Sequence, residues 1–210
     1  LKTRPVGADA GQEFLNAAAV LRTDQSPDEL LRTLHEIEAM FLRVRTHHWG
    51  PRTLDLDLIL YSDWISNIPQ MVVPHPAMWY RRFVLEPAIG IAAHMVHPTL
   101  NESVAGLHKR LMDRPLRLEI CSPGSATDQW FLDAIMHHVR DTGNNETEWH
   151  LTDPASVIAQ DSFARIMLRQ GEVLTASQLL NRKNREIAVG GNTVAEVMSQ
   201  IEHLSIAMLG

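Results

Sequence analysis

The sequence predicts an α+β chain in two parts, a strand-and-helix body followed by a small α/β appendage. Three observations carry that prediction. Ser26-Pro27-Asp28-Glu29 is a helix-start signal in front of an amphipathic stretch. Leucine recurs at every second residue from Leu54 to Leu60, with Asp55 and Asp57 between, the period of a half-buried strand. Beyond Arg114-Pro115 the segments read strand, helix, strand, then strand and helix again, the order of a small α/β layer.

Residues 1–13 are a loop punctuated by Gly and Pro. Phe14 to Thr23 reads as a strand with an Ala-rich centre. Ser26 caps the next helix, Pro27 suits its first position and Glu29 completes a capping box. Leu30, Leu31, Leu34, Ile37 and Phe41 form its apolar stripe, which predicts packing on a sheet. His47 to Tyr61 opens as a Gly50-Pro51 turn and becomes a strand, and Asp63-Trp64 is a hairpin-like connection. Met71-Val72-Val73 is a short strand closed by Pro74-His75-Pro76. Trp79 to Ala93 is helical in pieces around Pro87, a turn follows Pro98, and Val104 to Met112 is a short helix. In the appendage, Leu116 to Cys121 alternates like a strand and Trp130 to Arg140 reads as a helix. Ser162 to Arg169 is strand or helix, and Glu186 to Val189 is a short strand. Thr193 with Glu196 is a second capping box, opening a final helix to about Met208. The expected bounds are 1–114 for the body and 115–210 for the appendage.

The 210 residues suffice for one large domain or two small ones with a proper core. A net charge of −6 argues against general nucleic-acid binding. The single Cys121 excludes an internal disulfide framework and fits a reducing, cytoplasmic compartment. Cys121 has no evident activating partner and reads as an inert strand residue. No apolar run approaches the roughly 20 residues that span a bilayer. Leu1 is not a start Met, so the expectation is a chain that begins partway into a longer one.

The stretch richest in chemistry is 47–61. On a strand, Asp55 and Asp57 share a face, with carboxylates roughly 7 Å apart along the chain. That pair can serve Mg²⁺, which takes one or two carboxylates together with water and phosphate oxygens. Arg43, Arg45 and Arg52, with His47 and His48, crowd just before it with no acid until Asp55. Arginine's planar fork matches phosphate. A solvated strand face also explains an Asp-x-Asp taken alone; beside this cation cluster the pair describes a polyphosphate site, where catalysis is mostly positioning and charge neutralisation.

Trp49-Gly50-Pro51-Arg52-Thr53-Leu54-Asp55-Leu56-Asp57-Leu58-Ile59-Leu60-Tyr61, then Val73-Pro74-His75-Pro76, then Arg81-Arg82-Phe83-Val84-Leu85 with Pro87, resembles the 6-hydroxymethyl-7,8-dihydropterin pyrophosphokinases of folate biosynthesis. Phe14-Leu15-Asn16-Ala17-Ala18 and Arg43-Val44-Arg45 fit the same family, over roughly residues 1–112. The resemblance implies a ferredoxin-like antiparallel sheet covered by helices, and transfer of pyrophosphate from ATP to the pterin's hydroxymethyl oxygen with release of AMP. It implies that Asp55 and Asp57 hold two Mg²⁺ ions. Arg43, Arg45, Arg52, His75 and Arg81 would neutralise the triphosphate, and Glu38 would sit near the adenosine. Asn16, Trp49, Phe83, Phe14, Thr3, Pro5 and Val6 would hold the pterin, in keeping with an aromatic slot for a flat ring and an amide that reads its edge. The expected partners are ATP and the pterin, with no nucleic acid and no membrane, for a monomer or weak homodimer. The family's first strand, Gly-Ser-Asn loop and first helix are expected before Leu1. His35, His48 and Ala77 stand where the family often has Gln, Arg and Arg. Residues 115–210 lie outside the resemblance. Two other readings compete: a non-catalytic binding or scaffold module derived from such a kinase, and another two-metal phosphoryl or nucleotidyl transferase.

Overall fold

The computed structural model describes residues 1–3, 13–41, 54–122, 129–141, 145–153, 155–170 and 185–209. The chain divides into two compact units, Leu1–His108 with Ile206–Gly210, and Lys109–Ser205.

In the first unit, β1 (Lys2–Thr3) pairs antiparallel with β2 (Phe14–Leu15). The strand expected to Thr23 stops at Leu15, and residues 16–24 belong to no regular element. A strand exists only where a second backbone pairs with it, and Lys2–Thr3 offers two residues. Helix α1 (Pro27–Met40) starts as its sequence requires. The Ser26 hydroxyl accepts from the Glu29 amide, and the Ser26 amide donates to the Glu29 carboxylate at 2.7 Å. Of its apolar stripe only Leu30 is fully buried, and Phe41, just past the helix, is 59 % exposed. The predicted packing on a sheet is therefore incomplete at that end.

After a turn at Ser62-Asp63, β3 (Ser66–Ile68) and β4 (Met71–Val73) form a hairpin with Ser66 opposite Val73 and Ile68 opposite Met71. Met71 and Val73 are buried while Val72 between them is half-buried, as the two-residue period of a strand demands. Helix α2 (Arg82–Ala92) is continuous, not broken around Pro87. The Val84 and Leu85 amides close the first turn on the Arg81 carbonyl. Pro87, the sixth helical residue, removes one amide donor from a helix already begun. A short β5–β6 pair (Val96–His97, Glu102–Ser103) then leads into α3 (Val104–Met112).

The second unit carries a four-stranded sheet with every pairing parallel. The elements after Pro115 are β7 (Leu116–Cys121), α4 (Gln129–Asp141), β8 (Thr147–Leu151), β9 (Ala164–Gln170), β10 (Glu186–Gly191) and α5 (Val194–Leu209), and the strand order in the sheet is β10-β9-β7-β8. The Ser162–Arg169 ambiguity resolves as strand, and the Thr193–Glu196 capping box forms. Leu116, Leu118 and Ile120 on β7, and Ala164, Ile166 and Leu168 on β9, are fully buried on one face. The other face mixes apolar side chains, Cys121 and Met167 among them, with a buried charged pair. Glu119 lies directly opposite Arg165, and both are buried. Arg165 donates twice to one Glu119 oxygen, at 2.8 and 2.6 Å; the Ser162 hydroxyl and Ala159 amide donate to the other. Burial pushes the Cys121 thiol up to about 11, so it stays a thiol.

Burial raises the Glu119 carboxyl pKa, but the bonds from Ser162, Ala159 and Arg165 outweigh it and leave the group below its ordinary 4.5. A lowered folded-state pKa contributes stability above the ordinary value that is lost as pH falls through the folded one. Glu119→Leu leaves the Arg165 guanidinium buried without its carboxylate. Urea unfolding followed by circular dichroism is expected to show a loss of about 3–5 kcal/mol at pH 7. The penalty shrinks as the pH drops below 4.5, because the parent loses the ionised pair there.

Candidate active site

Residues 54–61 differ from expectation in what holds them. The alternation predicts a strand, yet among the described residues this segment belongs to none. Individual bonds to other described residues tether it instead. The Leu56 amide donates to Glu38 Oε1 at 2.7 Å, the His75 amide to the Ile59 carbonyl at 2.8 Å, and the Tyr61 hydroxyl to the Gln25 carbonyl at 2.6 Å. The expected alternation of faces is present all the same: Leu54, Leu56 and Leu58 are half-buried, while Asp55 and Asp57 are exposed.

Both carboxylates line a cavity of about 300 Å³. Helix α1 contributes Leu31 and His35, one turn apart on the same face. The β3–β4 hairpin contributes Pro69 to Val73, and the chain beyond it contributes His75 and Pro76. The His75 Nδ1 accepts from the Ala77 amide at 3.2 Å. In the neutral ring that leaves the proton on Nε2, a donor suited to an anionic oxygen. Glu38 belongs to the same helix as His35 but does not line the cavity; it is 2 % exposed, with its carboxylate on the Leu56 amide.

Two smaller groups of expected residues come together elsewhere in the first unit. Arg81 caps α2, and its guanidinium carbon stands 5.4 Å from the Phe83 ring centroid, a cation–π contact. The Asn16 side-chain amide donates to the Thr3 hydroxyl at 2.8 Å, with Phe14 directly opposite Thr3 in the β1–β2 register and 40 % exposed. Pro5, Val6, Arg43, Arg45, Trp49 and Arg52 lie outside the described residues, as does His48. The hairpin lining at Pro69 to Val72 and the cavity position of Leu31 were not expected from the sequence. Their only local sign is the short apolar run at Met71–Val73, which marks a strand and carries no mark of a site.

The donor set suits a hard divalent cation. Among the described residues no three of His, Cys, Asp and Glu cluster closely enough to hold a metal by themselves. Two exposed carboxylates on a cavity match Mg²⁺, which keeps several waters and takes remaining ligands from a bound phosphate. No helix among the described residues is long and apolar enough to cross a membrane.

The family described as 7,8-dihydro-6-hydroxymethylpterin-pyrophosphokinase matches residues 1–93. A Synechocystis protein named 2-amino-4-hydroxy-6-hydroxymethyldihydropteridine pyrophosphokinase is 45 % identical over 95 residues, 45 % of this chain and 49 % of the relative. A protein of the same name from Haemophilus influenzae is 36 % identical over 115 residues, 55 % of this chain and 71 % of the relative. The folic acid synthesis protein FOL1 of Dictyostelium discoideum is 34 % identical over 196 residues. That alignment covers 90 % of this chain, and so runs into the second unit, but only 29 % of the relative. The chain thus spans about half the length of the Synechocystis relative and less of the Dictyostelium one.

Replacing both carboxylates, Asp55→Asn with Asp57→Asn, neutralises two exposed groups on the cavity without touching the core. Unfolding free energy is expected to stay within about 0.5 kcal/mol of the parent, as for exposed positions generally. In an electron paramagnetic resonance titration, the half-saturating Mn²⁺ concentration is expected to rise by at least about tenfold, the lower end of the loss seen when even an outer-shell partner is removed.

Proposed function

Because this chain belongs to the 7,8-dihydro-6-hydroxymethylpterin-pyrophosphokinase family, we propose that it transfers a pyrophosphoryl group from ATP to 6-hydroxymethyl-7,8-dihydropterin and releases AMP. The observation that carries the reading is the convergence of Asp55, Asp57 and His75 on one cavity with room for a polyphosphate.

In this reading Asp55 and Asp57 would hold two Mg²⁺ ions, whose chemistry when bound would be neutralisation of triphosphate charge. His75 donates from Nε2 to a phosphate oxygen. Arg43, Arg45, Arg52 and Arg81 balance the rest of the charge, and Glu38 belongs to the same ATP-binding region. Phe14, Phe83 and Trp49 flank the pterin ring, Asn16 bonds its edge, and Thr3, Pro5 and Val6 complete the slot. The pterin's hydroxymethyl oxygen attacks the β-phosphorus and loses its proton. The bond from that phosphorus to the oxygen bridging to the α-phosphorus breaks, and AMP departs with the electron pair. Positioning the alcohol in line with that bridge is the protein's main contribution.

The first unit, on this account, is a ferredoxin-like antiparallel sheet covered by helices, with 1–114 as the kinase domain and 115–210 as an α/β appendage. The antiparallel sense of the strand pairs among the described residues of the first unit supports it. The protein acts in the cytoplasm as a monomer or weak homodimer.

AMP release from Mg²⁺-ATP, with and without 6-hydroxymethyl-7,8-dihydropterin, tests the proposal. It is measured on this chain and on a version carrying a family member's first strand, loop and helix at its N-terminus. Pterin-dependent AMP is expected from an Asp57-intact protein, and Asp57→Ala is expected to cut it by at least about 100-fold, the scale of losing a major electrostatic contributor. Absence of pterin-dependent AMP from both versions contradicts the proposal.

A further inference from the structure

The bond between the Leu56 amide and Glu38 holds the backbone at the residue between the two candidate metal ligands. A strand in a sheet has its side-chain directions set by a ladder of hydrogen bonds on both flanks. Residues 54–61 belong to no such ladder among the described residues, so their register depends on individual tethers. The tethers at Ile59 and Tyr61 lie two and four residues beyond Asp57, on its C-terminal side. The Leu56 amide lies between the carboxylates, and its partner is a buried side chain on the helix that also contributes Leu31 and His35 to the cavity.

A bond from an amide to an ionised carboxylate is shorter and about twice as strong as one to a neutral acceptor; the 2.7 Å distance fits that type. Losing the acceptor leaves an amide in need of a partner, and rotation of the peptide toward water would turn Asp55 and Asp57 off their shared face. We infer that Glu38 is a positioning residue for the metal site: from α1 it sets the orientation of the 55–57 backbone, and so the joint aim of the two carboxylates. The inference rests on the reading of Asp55 and Asp57 as Mg²⁺ ligands. It assigns Glu38 a task carried out through Leu56.

The test uses the full chain with Mn²⁺ and α,β-methylene-ATP, so that no turnover is needed. Metal affinity is read by electron paramagnetic resonance for the parent, Glu38→Gln, Glu38→Ala and Asp57→Asn. Thermal unfolding confirms which variants are folded, and exchange of the Leu56 amide with deuterium is followed in the parent. Glu38→Gln keeps an acceptor oxygen and is expected to hold Mn²⁺ within about threefold of the parent. Glu38→Ala is expected to weaken it by about 10- to 100-fold, the range for outer-shell partners. A folded Glu38→Ala protein within twofold of the parent, alongside a weakened Asp57→Asn, overturns the positioning role and leaves the metal site standing. An unweakened Asp57→Asn overturns both. If Glu38→Ala does not fold, the parent decides: a protected Leu56 amide together with a tight-binding Glu38→Gln supports the role, and an amide exchanging at the open-chain rate overturns it.

Discussion

The hydrogen bond from Leu56 to Glu38 joins two elements 18 residues apart in sequence and sets the geometry on which the candidate site depends. On one side is α1, a helix whose start is specified by its own capping box. On the other is an extended segment that carries both exposed carboxylates and lies in no sheet among the described residues. Burying an ionisable carboxylate is costly unless hydrogen bonds repay the lost hydration. A backbone amide is a suitable recipient, because it too requires a partner once removed from water. Each group thus answers the other's need. The His75 amide repeats the pattern three residues further along, tying the chain after the β3–β4 hairpin to the Ile59 carbonyl. Helix, extended segment and hairpin each contribute one wall of the cavity, and these bonds connect the walls.

Local chemistry was the legible part of the fold. Ser26 to Glu29 and Thr193 to Glu196 are contiguous signals, and both helices begin where those residues place them. Val104–Met112 and Leu116–Cys121 match their expected bounds because their apolar periods are clear and uninterrupted. Pro87 misled, since its effect depends on whether a helical turn already precedes it, and the Arg81 cap had closed one. Phe14 to Thr23 misled for the opposite reason. Strand propensity is local, but a strand needs a partner backbone, and only Phe14–Leu15 finds one among the described residues.

The candidate site divides along the same line. The shared face of Asp55 and Asp57 follows from a period of two and needs no tertiary information. That His35, Leu31 and the Pro69–Val73 hairpin meet them around one cavity depends on contacts between elements distant in sequence. The Glu38 bond leaves no trace in the sequence, because its partner is a backbone amide that any residue would supply. In the second unit, Glu119 and Arg165 are 46 residues apart and fall opposite each other only through the order of the parallel sheet. Neither residue stands out in a motif search, yet together they form the buried polar centre of that sheet. Thr3, Asn16 and Phe14 were named from resemblance alone, and β1–β2 pairing is what brings them together.

The most direct test of the central claim is a crystal structure of the chain with Mg²⁺ and α,β-methylene-ATP. The account predicts two Mg²⁺ ions with oxygens of Asp55 and Asp57 at about 2.1 Å, the usual Mg²⁺ distance. It places the triphosphate within hydrogen-bond reach of His75 Nε2, in the cavity between α1 and the β3–β4 hairpin. A nucleotide seated elsewhere, or metal ions that avoid both aspartates, would contradict it.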